Sequence, residues 1–164
     1  EGIDIQLEID YFNNREHFDS IATNVIYTGP VDQFYDYKFG KLEYRSLRFE
    51  TKRLDIADFQ GVAGVNYTEE SIPYTRIIEH KHFEPDVKTD STWVTWEYPT
   101  QYKAEETEPY YPVNDKENTE MYLKYRAEAN KLENIHFGGR LAEYKYYDMH
   151  QVISSALNFI KKTP

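Results

Sequence analysis

The sequence predicts an α+β fold: a central block of antiparallel β-strands inserted between two flanking pieces of one layered α/β unit. Three observations predict it. From Leu42 to Tyr98 the apolar residues recur with the period of a strand. Residues 115–132 and the stretch after Asp148 instead repeat with the period of a helix. Short strand patterns lie outside the central block on both sides, so the ends of the chain read as one unit interrupted in the middle.

Taken in order, GIDIQLEIDYF (residues 2–12) alternates Ile3, Ile5, Leu7 and Ile9 with polar neighbours and predicts a half-buried strand. NVIYTG predicts a second strand ending at a Gly-Pro turn, and VDQFYDYKFG a short helix stopped by Gly40. LEYRSLRFETKRL predicts a long strand with Arg45, Leu47 and Phe49 on one face. AGVNYTEE predicts another strand. YTRIIEHKHF and TWVTWEYP predict a hairpin whose arms present Arg76, Ile78, His80 and His82, and Trp93, Thr95 and Glu97. A loop broken by Pro109 and Pro112 follows. The helix over 115–132 carries Met121, Tyr122, Tyr125, Ala129 and Leu132 on one stripe. IHFGG is a short strand and turn. The last helix is capped by Asp148, with Gln151 completing a D-x-x-Q capping box.

Composition narrows the function. A net charge of −10 with no dense Lys/Arg cluster excludes a nucleic-acid backbone as partner. No apolar run approaches the ~20 residues of a membrane span. With no cysteine, neither disulfides nor thiol catalysis are available. The 16 tyrosines stand out; they fit an aromatic core, or a site that binds an anion through neutral hydroxyl donors.

Arg45 and Arg76 lie on strand faces shared with apolar residues, where a charge must be paired or must bind something. Glu43 and Glu79 point the other way. Glu97 shares a face with Trp93, a setting for a carboxylate of raised pKa or for one paired to an arginine. Tyr110 and Tyr111 sit between prolines in a rigid loop able to present hydroxyls. Gly138, Gly139 and Arg140 precede a capped helix whose free N–H groups favour an anion or an electron-rich ring. His80 and His82 share a predicted strand face, but no further ligand stands at useful spacing, so no metal is expected.

The blocks YTGPVDQFYDYKFGKLEYRSLRFE, VNYTEESIPYTRIIEHKHF, EPYYPVNDKEN and FGGRLAEYKYYDMHQVISSAL together resemble the UDP-galactopyranose mutases, which are flavoenzymes. The resemblance covers most of residues 26–157. It implies the interconversion of UDP-galactopyranose and UDP-galactofuranose for cell-surface polysaccharide. FAD is required in its reduced form, with the flavin N5 as nucleophile at the sugar anomeric carbon. Residue by residue, Tyr110 and Tyr146 correspond to diphosphate-binding tyrosines. Arg76 corresponds to the arginine near flavin and diphosphate, and Asn66 to a nucleotide-side contact. Arg45, Glu97 and Asp148 match further polar active-site positions. Gly139, Arg140, Tyr147, Asp148 and Met149 match the flavin-binding return segment.

The implied organisation places residues 1–40 and 114–164 in an FAD-binding α/β domain and residues 41–113 in an inserted substrate-binding sheet. The family's glycine-rich dinucleotide loop, helical domain and mobile arginine loop would precede Glu1, so the chain by itself is expected to be inactive. A cytoplasmic setting and a homodimer of the full-length enzyme are compatible with the resemblance. Two other readings fit the residues: a non-catalytic β module for nucleotide-sugars or glycans, and a piece of another two-domain flavoprotein.

Overall fold

The computed structural model describes residues 2–84, 86–104 and 106–162; Pro85 and Glu105, in two of the expected loops, lie outside them. The fold is α+β. It divides into two compact units, Lys41–Asn118 and Glu1–Gly40 together with Thr119–Pro164.

The first unit is a five-stranded antiparallel sheet of β2 (Tyr44–Leu54), β3 (Gly64–Asn66), β4 (Arg76–Glu79), β5 (Thr92–Gln101) and β6 (Tyr111–Pro112). Its spatial order is β3-β4-β5-β2-β6. β2 and β5 carry it, pairing without a break from Arg45 opposite Gln101 to Leu54 opposite Thr92. Both are rich in Thr, Tyr, Phe, Trp and Val, side chains that suit a pleated surface. One face packs Tyr44, Ile77 and Val94 inward. Long cationic stems cover its rim, Arg48 lying 4.1 Å above the Tyr98 ring and Lys52 5.6 Å above Trp96. At the end of the sheet, Asn118 accepts the Glu43 N–H and is itself held by Asp115, which keeps this short segment with the strands.

The second unit contains β1 (Val25–Tyr27) and β7 (Ile135–Phe137), a parallel pair with Tyr27 opposite Phe137. It also contains α1 (Arg15–Ile21), α2 (Val31–Phe34), α3 (Lys116–Ala129, of which Thr119 onward belongs here), α4 (Gly139–Ala142) and α5 (Met149–Lys162). Its core is aromatic. Tyr27, Phe34 and Phe137 meet largely edge to face with centroids 4.8–5.8 Å apart, and Tyr11, Phe12 and Tyr35 pack around them. These tyrosines are structural. α3 is fixed by Tyr125, which is fully buried; its hydroxyl donates to the Gly40 carbonyl and accepts the Phe39 N–H.

Three sequence expectations are corrected. Residues 2–12 form no strand: Ile3, Ile5 and Leu7 are more than three-quarters exposed. Alternation makes a strand only where a neighbour takes the backbone hydrogen bonds, and among the described residues none pairs with this segment. The helix at VDQF stops at Phe34, well before Gly40, because Asp36 and Tyr37 take φ of 49° and 55°. His80–Phe83 is a 3-10 turn that ends β4, so His80 and His82 do not share a strand face. The helix α1 had no expectation.

Among the described residues no helix is long and apolar enough to cross a membrane. α5 turns much of its apolar stripe outward: Met149, Ile153, Leu157 and Ile160 are each more than half exposed.

The buried tyrosines set the alkaline behaviour. Burial is the leading cause that raises the pKa of Tyr11, Tyr27, Tyr35, Tyr122 and Tyr125. A raised folded-state pKa stabilises the fold fully below the unfolded value of ~10, and that stability is lost as pH rises through the folded value. Far-UV circular dichroism against pH is therefore expected to stay flat to about pH 10 and to fall above it, while tyrosinate absorbance lags behind a free-tyrosine curve.

Candidate functional site

The sheet face opposite the packed one gathers the expected residues of the first unit. Asn66 lies across from Arg76, Arg76 across from Glu97, and Glu97 across from Phe49, so one transverse row crosses four strands. Cross-strand partners project to the same face, which is why four distant segments meet here. Arg76 donates from Nε and Nη2 to Glu97 Oε2 at 2.9 and 2.8 Å. The Glu97 side chain is 6% exposed and that of Arg76 40%. This is the arginine partner that the setting of Glu97 offered as one of two outcomes. The Glu97 hydrogen bond, followed by its charge and a hydrogen bond to the Tyr111 hydroxyl, holds Arg76 above its already high pKa despite partial desolvation.

Both tyrosines of the Pro-Tyr-Tyr-Pro loop reach this face of the sheet. Both were equally eligible, and Tyr110 alone was given a ligand role. The structure puts the Tyr110 ring edge-on to Phe49 at 5.6 Å and the Tyr111 hydroxyl on Arg76. The Tyr110 N–H also donates to the Arg45 carbonyl, and Arg45 stands opposite Tyr111. Arg45 itself is exposed, further along the same face. Tyr111 shares the face of Arg45 because the β2–β6 register sets the two opposite each other.

In the second unit the expected residues cluster in the turn before α5. Gly139 takes φ of 87°, which favours glycine, and leads directly out of β7. Arg140 donates from Nε to the Tyr147 carbonyl at 3.1 Å and from Nη2 to the same oxygen, and its guanidinium lies 5.7 Å from the Tyr146 ring centroid. It thus fixes the segment that carries Tyr146, Tyr147 and Asp148. The Tyr147 hydroxyl donates to Glu143 and accepts from Lys145, and that hydrogen bond is the main cause raising the Lys145 pKa. The Asp148 N–H donates to Gln151 Oε1 at 2.8 Å, the backward arm of the expected capping box. Tyr146, Asp148 and Met149 are exposed. Beside this turn a cavity of about 270 Å³, lined chiefly by apolar groups such as Ile26, Phe137, Val152 and Ile160 together with Gly138 and Gly139, opens between the parallel strands and α5.

The family model of UDP-galactopyranose mutase matches residues 1–146. A Klebsiella pneumoniae protein described as a probable UDP-galactopyranose mutase is 39% identical over 158 residues, 96% of this chain and 40% of its own. The dTDP-fucopyranose mutase of Escherichia coli is 36% identical over 158 residues, 93% of this chain and 42% of its own. The UDP-galactopyranose mutase of Mycoplasma pneumoniae is 37% identical over 141 residues, 84% of this chain and 35% of its own. The chain thus spans about two-fifths of the length of these curated relatives. With a matched family model over nearly its whole length, the chain belongs to the UDP-galactopyranose mutase family.

Proposed function

We propose that this chain supplies the substrate-side sheet and the cofactor-side return segment of a mutase that interconverts UDP-galactopyranose and UDP-galactofuranose. The observation that carries the reading is the row Asn66–Arg76–Glu97: a cation fixed by a carboxylate, with the Tyr111 hydroxyl on it and Asn66 across from it, on an otherwise acidic chain. Guanidinium groups carry five N–H donors. Glu97 engages two of the Arg76 nitrogens and sets the plane, while the exposed part of the group is free to meet a diphosphate.

When the anomeric bond breaks, negative charge grows on the departing nucleoside diphosphate. Donors already oriented toward that charge favour the transition state over the bound sugar nucleotide. Arg76 is assigned this role, with a hydroxyl of the Pro-Tyr-Tyr-Pro loop as a neutral donor. Glu97 positions Arg76. Asn66 is assigned to the nucleotide side and Arg45 to the rim of the same face.

The residues expected to hold FAD fit a flavin. Gly139 and the turn after β1 both lie at the carboxyl ends of a parallel strand pair, where α/β sheets place ligands. The start of the 14-residue helix α5 follows, with uncommitted N–H groups suited to an electron-rich ring edge. Gly139, Arg140 and the backbone from Tyr147 to Met149 would line that site. Reduced FAD, when bound, supplies the nucleophile for the anomeric carbon. Arg140 keeps the loop in place by tying down the Tyr147 carbonyl.

The test uses a complete enzyme containing this chain, reduced with dithionite and given UDP-galactofuranose, UDP-galactopyranose or dTDP-fucopyranose, with products separated by chromatography. Ring interconversion of the UDP-galactose pair is the expected result. Turnover of the dTDP sugar alone would move the substrate to that of the Escherichia coli relative. No ring isomerisation of either sugar, with flavin bound and reduced, would overturn the proposal.

A further inference from the structure

We propose that Asp58, Glu79 and His82 form a binding site for a divalent cation of the zinc class, away from the sugar-nucleotide face. The three side chains come from three segments: the connection between β2 and β3, the last residue of β4, and the 3-10 turn that follows it. Their ligand atoms all lie within 4.8 Å of one another.

The spacing matches a coordination shell. His82 Nε2 is 3.3 Å from Glu79 Oε2 and 3.5 Å from Asp58 Oδ2. Ligands ~2.1 Å from a tetrahedral zinc ion stand ~3.4 Å from one another. Two edges of the polyhedron are therefore already at the right length.

The ligands are also held in advance. Glu79 is fully buried, and its two oxygens accept the Phe59 and Gln60 N–H groups at 3.0 and 2.8 Å. Asp58 Oδ1 accepts the Gly61 N–H at 2.7 Å, which leaves Oδ2 turned to the cluster. His82 Nε2 is sealed from solvent and makes no hydrogen bond, although two carboxylates stand beside it. A solvent-sealed imidazole nitrogen 3.3 and 3.5 Å from two carboxylate oxygens and bonded to neither is what an ion-binding site looks like before the ion enters.

Lys81 now supplies positive charge there. Its ammonium is 2.8 Å from Asp58 Oδ2 and 3.9 Å from Glu79 Oε1. It also donates to the Ala57 carbonyl, which remains as a partner when a doubly charged ion displaces it. A metal ion takes the lone pair of His82 Nε2, with the ring proton on Nδ1, and so engages all three groups at once. With three protein ligands, water completes the shell. Bound there, the ion ties the turn at Asp58–Gly61 to the end of the strand that carries Arg76.

The experiment takes the 164-residue chain, stripped with a chelator, and titrates it with zinc chloride by calorimetry in a non-coordinating buffer at neutral pH. Binding of a single Zn²⁺ per chain and a rise in melting temperature with zinc are expected. His82→Ala is expected to weaken binding by about tenfold or more, and Lys81→Met to tighten it. His80→Ala should leave binding unchanged, since its ring is engaged by Thr95. Cobalt absorption bands in the wild type, absent from His82→Ala, give a readout that does not depend on how stable the variant is. No zinc binding, binding that survives His82→Ala, or equal loss in His80→Ala would overturn the proposal.

Discussion

Arg76→Ala in a complete enzyme is expected to lower turnover about 10²–10³-fold, the usual effect of removing one preoriented donor from a developing negative charge. Stability is expected to fall as well, for a separate reason. Glu97 is nearly buried and takes its charge compensation from Arg76. Stranding a buried carboxylate costs several kcal/mol, and the partial exposure of Arg76 brings this to about 2–3 kcal/mol. The two effects separate in the double variant Arg76→Ala with Glu97→Gln. That protein should regain melting temperature, because the orphaned charge is gone, and should stay slow. Arg76→Lys keeps the charge but cannot form the forked contact to Glu97, so it should recover stability better than turnover. Thermal melts and turnover at saturating substrate decide the matter; full turnover in Arg76→Ala would remove the guanidinium from the reaction.

The largest expected effect on stability alone belongs to Tyr125→Phe. Only an oxygen is lost, and the ring still fills its space against Tyr35 and Phe39. That oxygen serves two backbone groups, accepting from Phe39 and donating to Gly40. Without it a part-buried N–H and a part-buried carbonyl lose their partner, at about 1–3 kcal/mol each. A loss of about 2–4 kcal/mol in urea unfolding is expected. A loss below about 0.5 kcal/mol would mean that water reaches both groups and that the site is looser than its burial suggests.

Much of the sheet was legible because stretches of β2 and β5 alternate and both strands carry the residue types that favour pleated surfaces. The same rule failed at residues 2–12, where the alternation is as clean and no described strand stands beside it. Period reports which face a residue would take, and partnership decides whether the strand exists. At the candidate site the sequence put Arg76 and Glu97 on strand faces, but their pairing depends on the register between β4 and β5, which no local pattern encodes. The neighbours of His82 were out of reach for a related reason: Asp58 arrives through a loop, and loops carry no period to read.

The register of β4 against β5 also has a consequence for how this chain can change in length. A residue inserted between Arg76 and Glu79, or between Thr92 and Glu97, would rotate one side of the Arg76–Glu97 pair to the opposite surface. A residue inserted in the connection between Phe83 and Thr92 would change only the closure of an exposed loop, at a small entropic cost. Relatives of this chain are therefore expected to vary in length within that connection and to keep both strand segments to the residue, so that an alignment gap becomes a readable mark of where the sugar-nucleotide surface begins.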